Sequence, residues 1–177
     1  MKRFVLTFAA VVNLLLVDQI AKAAAVYYLK NEPPHVVLEN LFQLAYVENR
    51  GCAWGLFQGQ VWPLAVFGVA AFAFLVWKRR AIFPRGAWGT LAEILLYAGI
   101  LGNLVDRFYL GYVIDMLDFH WGPHHFPCFN IADTFISVAA GLLILLSFVQ
   151  KDSCKDAGSK PAASRPSPEP PKETAGK

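Results

Sequence analysis

Residues 99–134 read GILGNLVDRFYLGYVIDMLDFHWGPHHFPCFNIADT. The stretch leaves one strongly apolar segment and enters another, and between them it sets Asn103, Asp106, Arg107, Asp115, Asp118, Asn130 and Asp133. A charged group near hydrocarbon forfeits several kcal/mol of hydration, so ionisable residues at the ends of apolar runs imply a function and a partner close by. The expectation is that Asp115 and Asp133 form a carboxylate pair, brought together at a membrane surface by the rest of the chain.

The surrounding composition agrees with a membrane setting. Of 177 residues, 56% are hydrophobic and only 16% are charged, whereas soluble domains carry about 25% charge. The net charge of +3 comes from basic residues clustered between apolar runs, which is the pattern that orients membrane proteins and not a nucleic-acid footprint. Nucleic-acid binding is excluded on that ground.

Four spans are predicted, over about 4–29, 61–77, 88–107 and 130–150. The first run follows Lys2 and Arg3 and contains Ala21-Lys22-Ala23, which formally fits a signal-peptide cleavage site. Asp18 and Lys22 interrupt it where a cleavage region is bland, so an uncleaved span is expected. Lys78, Arg79, Arg80 and Arg85 follow the second run, and Lys151 closes the fourth. By the positive-inside rule these clusters and both termini are cytoplasmic. Residues 30–60 are too polar and irregular to span. VVLENLFQLAYV partly alternates, so this segment is expected to form a small extracytoplasmic β platform, with Trp54, Phe57 and Trp62 at headgroup level. The fold expected is thus a membrane all-α bundle of four transmembrane helices with that platform, over residues 1–150. The Pro- and Ser-rich tail, 151–177, is expected to be disordered in the cytoplasm.

In this topology the polar residues of spans one, three and four collect at one depth, near the outer interface. Asp18 and Lys22, four apart, share a helix face and can pair, either as an interfacial ion pair or as a clamp beneath an active site. Asn103 and Arg107 share a face of span three, as Asn130 and Asp133 do at the start of span four. Asp115 falls in a loop or short helix between them. Two facing carboxylates can share a proton: the ionised one activates water while the protonated one polarises the carbonyl under attack. Asp133 could also serve as a first-turn helix cap. Asp106 and Asp118 are rival carboxylates, the former read as an ion pair with Arg107, the latter as solvent-facing.

His120, His124 and His125 with Asp118 raise the question of a metal, but their spacing fits no helical ligand face and no cysteine completes the set. No metal site is expected. Cys52, Cys128 and Cys154 show no CxxC spacing, and unpaired thiols are favoured over a Cys52–Cys128 disulfide.

Five ordered stretches, DQIAK (18–22), NRGCAWGLF (49–57), GILGNLVDR (99–107), GYVIDML (111–117) and FNIADT (129–134), resemble the lipoprotein signal peptidases (signal peptidase II), aspartic endopeptidases of the bacterial cytoplasmic membrane. The resemblance implies that Asp115 and Asp133 are the catalytic dyad. It marks Asp18, Lys22, Asn49, Gly51, Asn103, Arg107 and Asn130 as the polar surround that positions dyad and substrate. It further implies cleavage of prolipoproteins just before a diacylglyceryl-modified cysteine, inhibition by the cyclic peptide globomycin, contact with membrane lipid, no cofactor or metal, a monomer, and an active site near the outer face. Cys52, where alanine is more usual, and Trp54, where phenylalanine is, depart from the pattern. Two other classes compete: an ion-coupled carrier, which predicts polar residues spread through the membrane depth and an internal repeat, and a non-enzymatic assembly factor.

Overall fold

The computed structural model describes residues 2–52, 54 and 56–158. The chain runs α1 (Lys2–Leu29), β1 (His35–Leu38), β2 (Phe42–Asn49), α2 (Val61–Trp77), α3 (Arg79–Ile82), α4 (Ala87–Tyr109), β3 (Val113–Trp121), β4 (His124–His125) and α5 (Ile131–Gly158). Helix α5 continues through Gly158, past the predicted end of the last span at 150. The remainder of the tail, 159–177, lies outside the described residues.

Among the described residues, three helical segments are long and apolar enough to cross a membrane: Phe4–Leu29, Ala87–Tyr109 and Ile131–Val149. Their side-chain distribution inverts that of a soluble protein. Phe8, Leu16 and Ile20 of α1 and Leu145 and Phe148 of α5 are exposed, while Asp18, Lys22, Glu93 and Asp106 are buried. Apolar surface faces outward and charge faces charge, as a hydrocarbon solvent demands. The chain is a multi-pass membrane protein.

Helix α4 is the centre. Half of its apolar window is buried, against 17% for α1 and 11% for α5. Its packing on α5 depends on small residues, because without a hydrophobic drive between helices in lipid, close backbone approach supplies the contact. A Cβ on Gly99 would stand 2.5 Å from the Ala132 carbonyl oxygen, and one on Gly102 would stand 2.6 Å from Asp18 Oδ2. The 17-residue α2 lies antiparallel to α4 along most of its length. Trp62 at its start meets Phe108, the Tyr97 hydroxyl donates to the Leu75 carbonyl near its end, and Arg79 just beyond pairs with Glu93.

The platform is larger than 30–60. Strands β1 and β2 are joined by β3 and β4, from the loop between α4 and α5, in one antiparallel sheet of order β1-β2-β3-β4. VIDMLDFHW has the β-branched and aromatic content of a strand, and Gly111 and Gly122, both at positive φ, turn the chain at its two ends. Asp115 therefore sits in a strand, not in a loop or short helix. The sheet rests on the end of α1, where Ala25 packs against Ile114 and Met116.

Candidate active site

The site grows from the N-terminus of α5. Asn130 precedes the helix: its side-chain oxygen accepts the Asp133 N–H at 2.9 Å, and Asp133 Oδ2 accepts the Asn130 N–H at 3.3 Å. This is the reciprocal capping arrangement, with Asp133 in the turn where the helix dipole favours a negative charge. Asn130 is delivered to β3 because Leu117 and Phe129 exchange backbone hydrogen bonds at 2.8 and 3.1 Å. Its amide nitrogen then donates to Asp115 Oδ1 at 2.7 Å and to Asn103 Oδ1 at 3.1 Å. Asn103 of α4 donates to Asp133 Oδ1 at 2.7 Å, and Asn49 at the end of β2 donates to Asp115 Oδ2 at 2.9 Å. Three asparagines from three elements thus hold two carboxylates, and one of them, Asn130, touches both.

Neutral amides stabilise an ionised carboxylate less than a cation does, and Asp115 is almost wholly buried. Burial first, and the charge of Asp133 second, push its carboxyl up to about 7, against the donors from Asn49 and Asn130.

Beneath lies a second cluster. Lys22 Nζ reaches Asp18 Oδ2 at 3.0 Å and Asp106 Oδ2 at 2.9 Å, with all three side chains at most 2% exposed. Asp18 Oδ1 accepts the Ala132 N–H at the start of α5, 2.8 Å away, and Asp106 Oδ2 accepts the Ile114 N–H of β3 at 3.1 Å. Gln19 adds bonds to both carboxylates. The pair Asp18–Lys22 forms as the four-residue spacing predicts, and its burial makes it a clamp, not an interfacial pair. Asp106 is not paired with Arg107, as expected, but with Lys22. Arg107 instead donates to the Gly51 carbonyl at 3.1 Å.

Gly51 is required by the turn after β2. A Cβ there would meet the Leu56 carbonyl at 2.5 Å, and its N–H is held by Asn49 Oδ1 at 2.9 Å. Gln19 is absent from the residues the sequence marks, and Asp106, marked there as a rival carboxylate paired with Arg107, belongs instead to the clamp. Only the place of Gln19 beside Asp18 points to it.

Three cavities converge here. One of about 440 Å³ includes Asn49, Asn103, Arg107 and Asp133 in its wall. A larger, more apolar one of about 920 Å³ lies between α2 and α4, lined by Leu64, Phe67, Ile100, Leu104 and again Asp133. A third of about 200 Å³ reaches Asp115 past Asn49. Cys52 and Cys128 are both unpaired. Burial raises the Cys128 thiol to about 12, so it is held as a neutral wall of the site.

Asp118 does not join Asp115 and Asp133. It is buried, not solvent-facing, with Gln43 and His125 on its carboxylate. Although burial opposes it, hydrogen bonds from these two residues hold its carboxyl below the usual range.

The family model described as signal peptidase (SPase) II matches residues 10–149, spanning all of these groups. The chain belongs to the signal peptidase II family. It is 42% identical over 159 residues to the lipoprotein signal peptidase of Shewanella pealeana, covering 85% of this chain and 91% of that one. It is 39% identical over 132 residues to that of Syntrophotalea carbinolica, covering 73% and 82%. Two solved structures described as bacterial membrane enzymes share the fold. One has a TM-score of 0.70 at 23% identity over 90% of this chain and 94% of that one, the other 0.68 at 27% over 79% and 90%. Membership makes the chain a membrane peptidase, and the catalytic groups are to be sought among the polar residues just described.

Proposed function

We propose that the chain is an aspartic endopeptidase that removes the signal peptide from diacylglyceryl-modified prolipoproteins, with Asp115 and Asp133 as its dyad. The observation that carries this reading is the Asn130 bridge between a buried carboxylate, Asp115, and a half-buried one, Asp133, at the meeting of three cavities. The apolar groove between α2 and α4 suits acyl chains. The polar cavity beside Asn49 and Arg107 suits a peptide backbone, and Asp133 stands in the wall of both. A lipidated peptide is then met without removing either part from its preferred solvent.

Below about pH 7 Asp115, the more deeply buried of the two, keeps the shared proton and Asp133 is the base. Asp133 takes a proton from water as its oxygen attacks the scissile carbonyl carbon, while Asp115 donates to the carbonyl oxygen. On collapse of the tetrahedral intermediate the C–N bond breaks. The proton on Asp133 passes to the leaving nitrogen of the lipidated cysteine, and Asp115 regains its own. Asn103, Asn130 and Asn49 fix the carboxylates, Arg107 holds the Gly51 turn over the cavity, and Asp18 with Lys22 supports the dyad from below.

Four crossings fit this arrangement. The ends of α1 and α4 and the start of α5 all lie at the site, so the chain must return to the far face between α1 and α4. Helix α2, about 26 Å at roughly 1.5 Å per residue, makes that return. With the basic cluster after α2 on the cytoplasmic side, both termini are cytoplasmic and the site opens near the outer face of the bacterial inner membrane. Residues 1–150 form the peptidase domain and the tail lies outside it. Globomycin, as a cyclic peptide, would compete for the same cavities, and a monomer suffices because every group of the site comes from one chain.

The test is cleavage of a diacylglyceryl-modified prolipoprotein in vesicles by the wild type, Asp115→Asn and Asp133→Asn. Loss in both variants with retained insertion and folding supports the dyad; near-normal activity in either removes it. A wild type that cannot cut would return the carrier reading to the front.

A further inference from the structure

Away from the dyad, one cluster of titratable side chains takes no part in the reaction. Asp118 and His120 lie two apart in β3 and so share a face of the sheet, and β4 sets His125 opposite His120. One donor atom from each of the three lies within 4.8 Å of the others. His125 Nδ1 stands 2.9 and 3.0 Å from the two oxygens of Asp118. The imidazoles of His120 and His125 stack at 5.0 Å with 15° between their planes. Gln43 Nε2 donates to Asp118 Oδ2 at 2.6 Å. Among the described residues, His120 Nδ1 is a buried nitrogen without a hydrogen-bond partner.

We propose that Asp118, His120 and His125 bind one divalent transition-metal ion of the zinc class. Two imidazoles and a carboxylate suit zinc, nickel or copper, whereas magnesium and calcium take oxygen donors. Metal–donor distances of roughly 2.0–2.2 Å set ligands of one ion about 3.4 Å apart. The three donors, all within 4.8 Å of one another, need only small side-chain adjustments to reach that, and His125, whose side chain is 48% exposed, is free to make one. The ion supplies the unpartnered nitrogen of His120 with a ligand bond, and Gln43 remains as the outer donor that orients the carboxylate. Spacing along a helix argued against such a site in the sequence, but the ligands come from two paired strands. Asp115, three positions from Asp118, lies on the opposite face of β3, so the ion fastens the β3–β4 hairpin and does not enter the dyad chemistry.

The experiment is titration of the full chain, free of any histidine tag, with Zn²⁺ in detergent by calorimetry, alongside thermal unfolding with and without Zn²⁺. One equivalent is expected to bind the wild type and raise its melting temperature. Asp118→Asn and the double variant His120→Ala/His125→Ala are expected to bind at least about tenfold more weakly, with no such rise. His124→Ala, one residue along and on the other face of β4, is expected to bind as the wild type does. Replacement by Co²⁺ should give the visible absorption of a nitrogen- and oxygen-ligated ion. A wild type that binds less than a stoichiometric fraction overturns the proposal, as does a double variant that binds as tightly as the wild type.

Discussion

The clamp at Asp18, Lys22 and Asp106 and the proposed dyad at Asp115 and Asp133 each hold two carboxylates, one site beneath the other, yet they differ in what faces those carboxylates. In the clamp a buried ammonium stands 3.0 and 2.9 Å from its two acids, and backbone N–H groups of α5 and β3 complete it. In the dyad the donors are neutral amides and a backbone N–H, and cavities open on both acids. A paired charge is spent on joining helices. A carboxylate held by amides keeps a proton to exchange, and only such a group can do acid–base work near neutral pH.

The sharpest way to break this contrast is to neutralise one acid in each region. Asp115→Asn or Asp133→Asn is expected to lower cleavage by about 10²–10⁴-fold, the range for loss of a general acid or base, with the melting temperature in detergent little changed. Lys22→Met is expected to act the other way round. It strands two buried carboxylates, which costs about 3–5 kcal/mol, and should appear as a large fall in thermal stability. A stable but inactive Lys22→Met would move Lys22 from clamp to chemistry.

A smaller effect is expected from Gly102→Ala. Its methyl group would press on Asp18 Oδ2 and Ala132 Cβ at 2.6 and 3.0 Å, an overpacking cost of about 1–3 kcal/mol measurable by thermal unfolding. Because the strained contact falls on the clamp, stability should fall more than the activity of the folded fraction.

The pH dependence sharpens the other half. Asp115 titrates near 7 in the folded chain, above its unfolded value near 3.9. Folding therefore favours its protonated form. Its cost to stability is absent below the unfolded value and grows through the interval up to about 7, because there the unfolded chain releases the proton that burial and Asp133 make the folded chain keep. Activity should fall as pH rises through about 7. The part of the stability loss between pH 5 and 8 due to this group should vanish in Asp115→Asn, as read by melting curves at the two pH values.

The clamp also shows where local spacing stops informing. Asp18 and Lys22 are one helical turn apart, and their pairing follows from that alone. Asp106 is 84 positions from Lys22, and beside it Arg107 offered a nearer cation. Only the approach of α4 to α1, through Gly102, decides that Lys22 wins and that Arg107 turns to the Gly51 carbonyl. In the same way the β-branched and aromatic content of VIDMLDFHW does not by itself make a strand; its pairing with β2 does. The turn at Gly122-Pro123 pairs β3 with β4, and only that pairing brings Asp118, His120 and His125 together.

By itself the sequence determined the apolar helices, the depth at which the polar residues gather and the presence of a surface platform. Those follow from the cost of placing charge and open backbone in hydrocarbon, which acts residue by residue along the chain. The tertiary structure alone decided the partners: which carboxylate meets the lysine, which asparagine bridges Asp115 and Asp133, and that the segment between α4 and α5 holds a strand. Each of these depends on contacts between groups far apart in the chain, where a shift of one residue in strand register exchanges the two faces of the sheet.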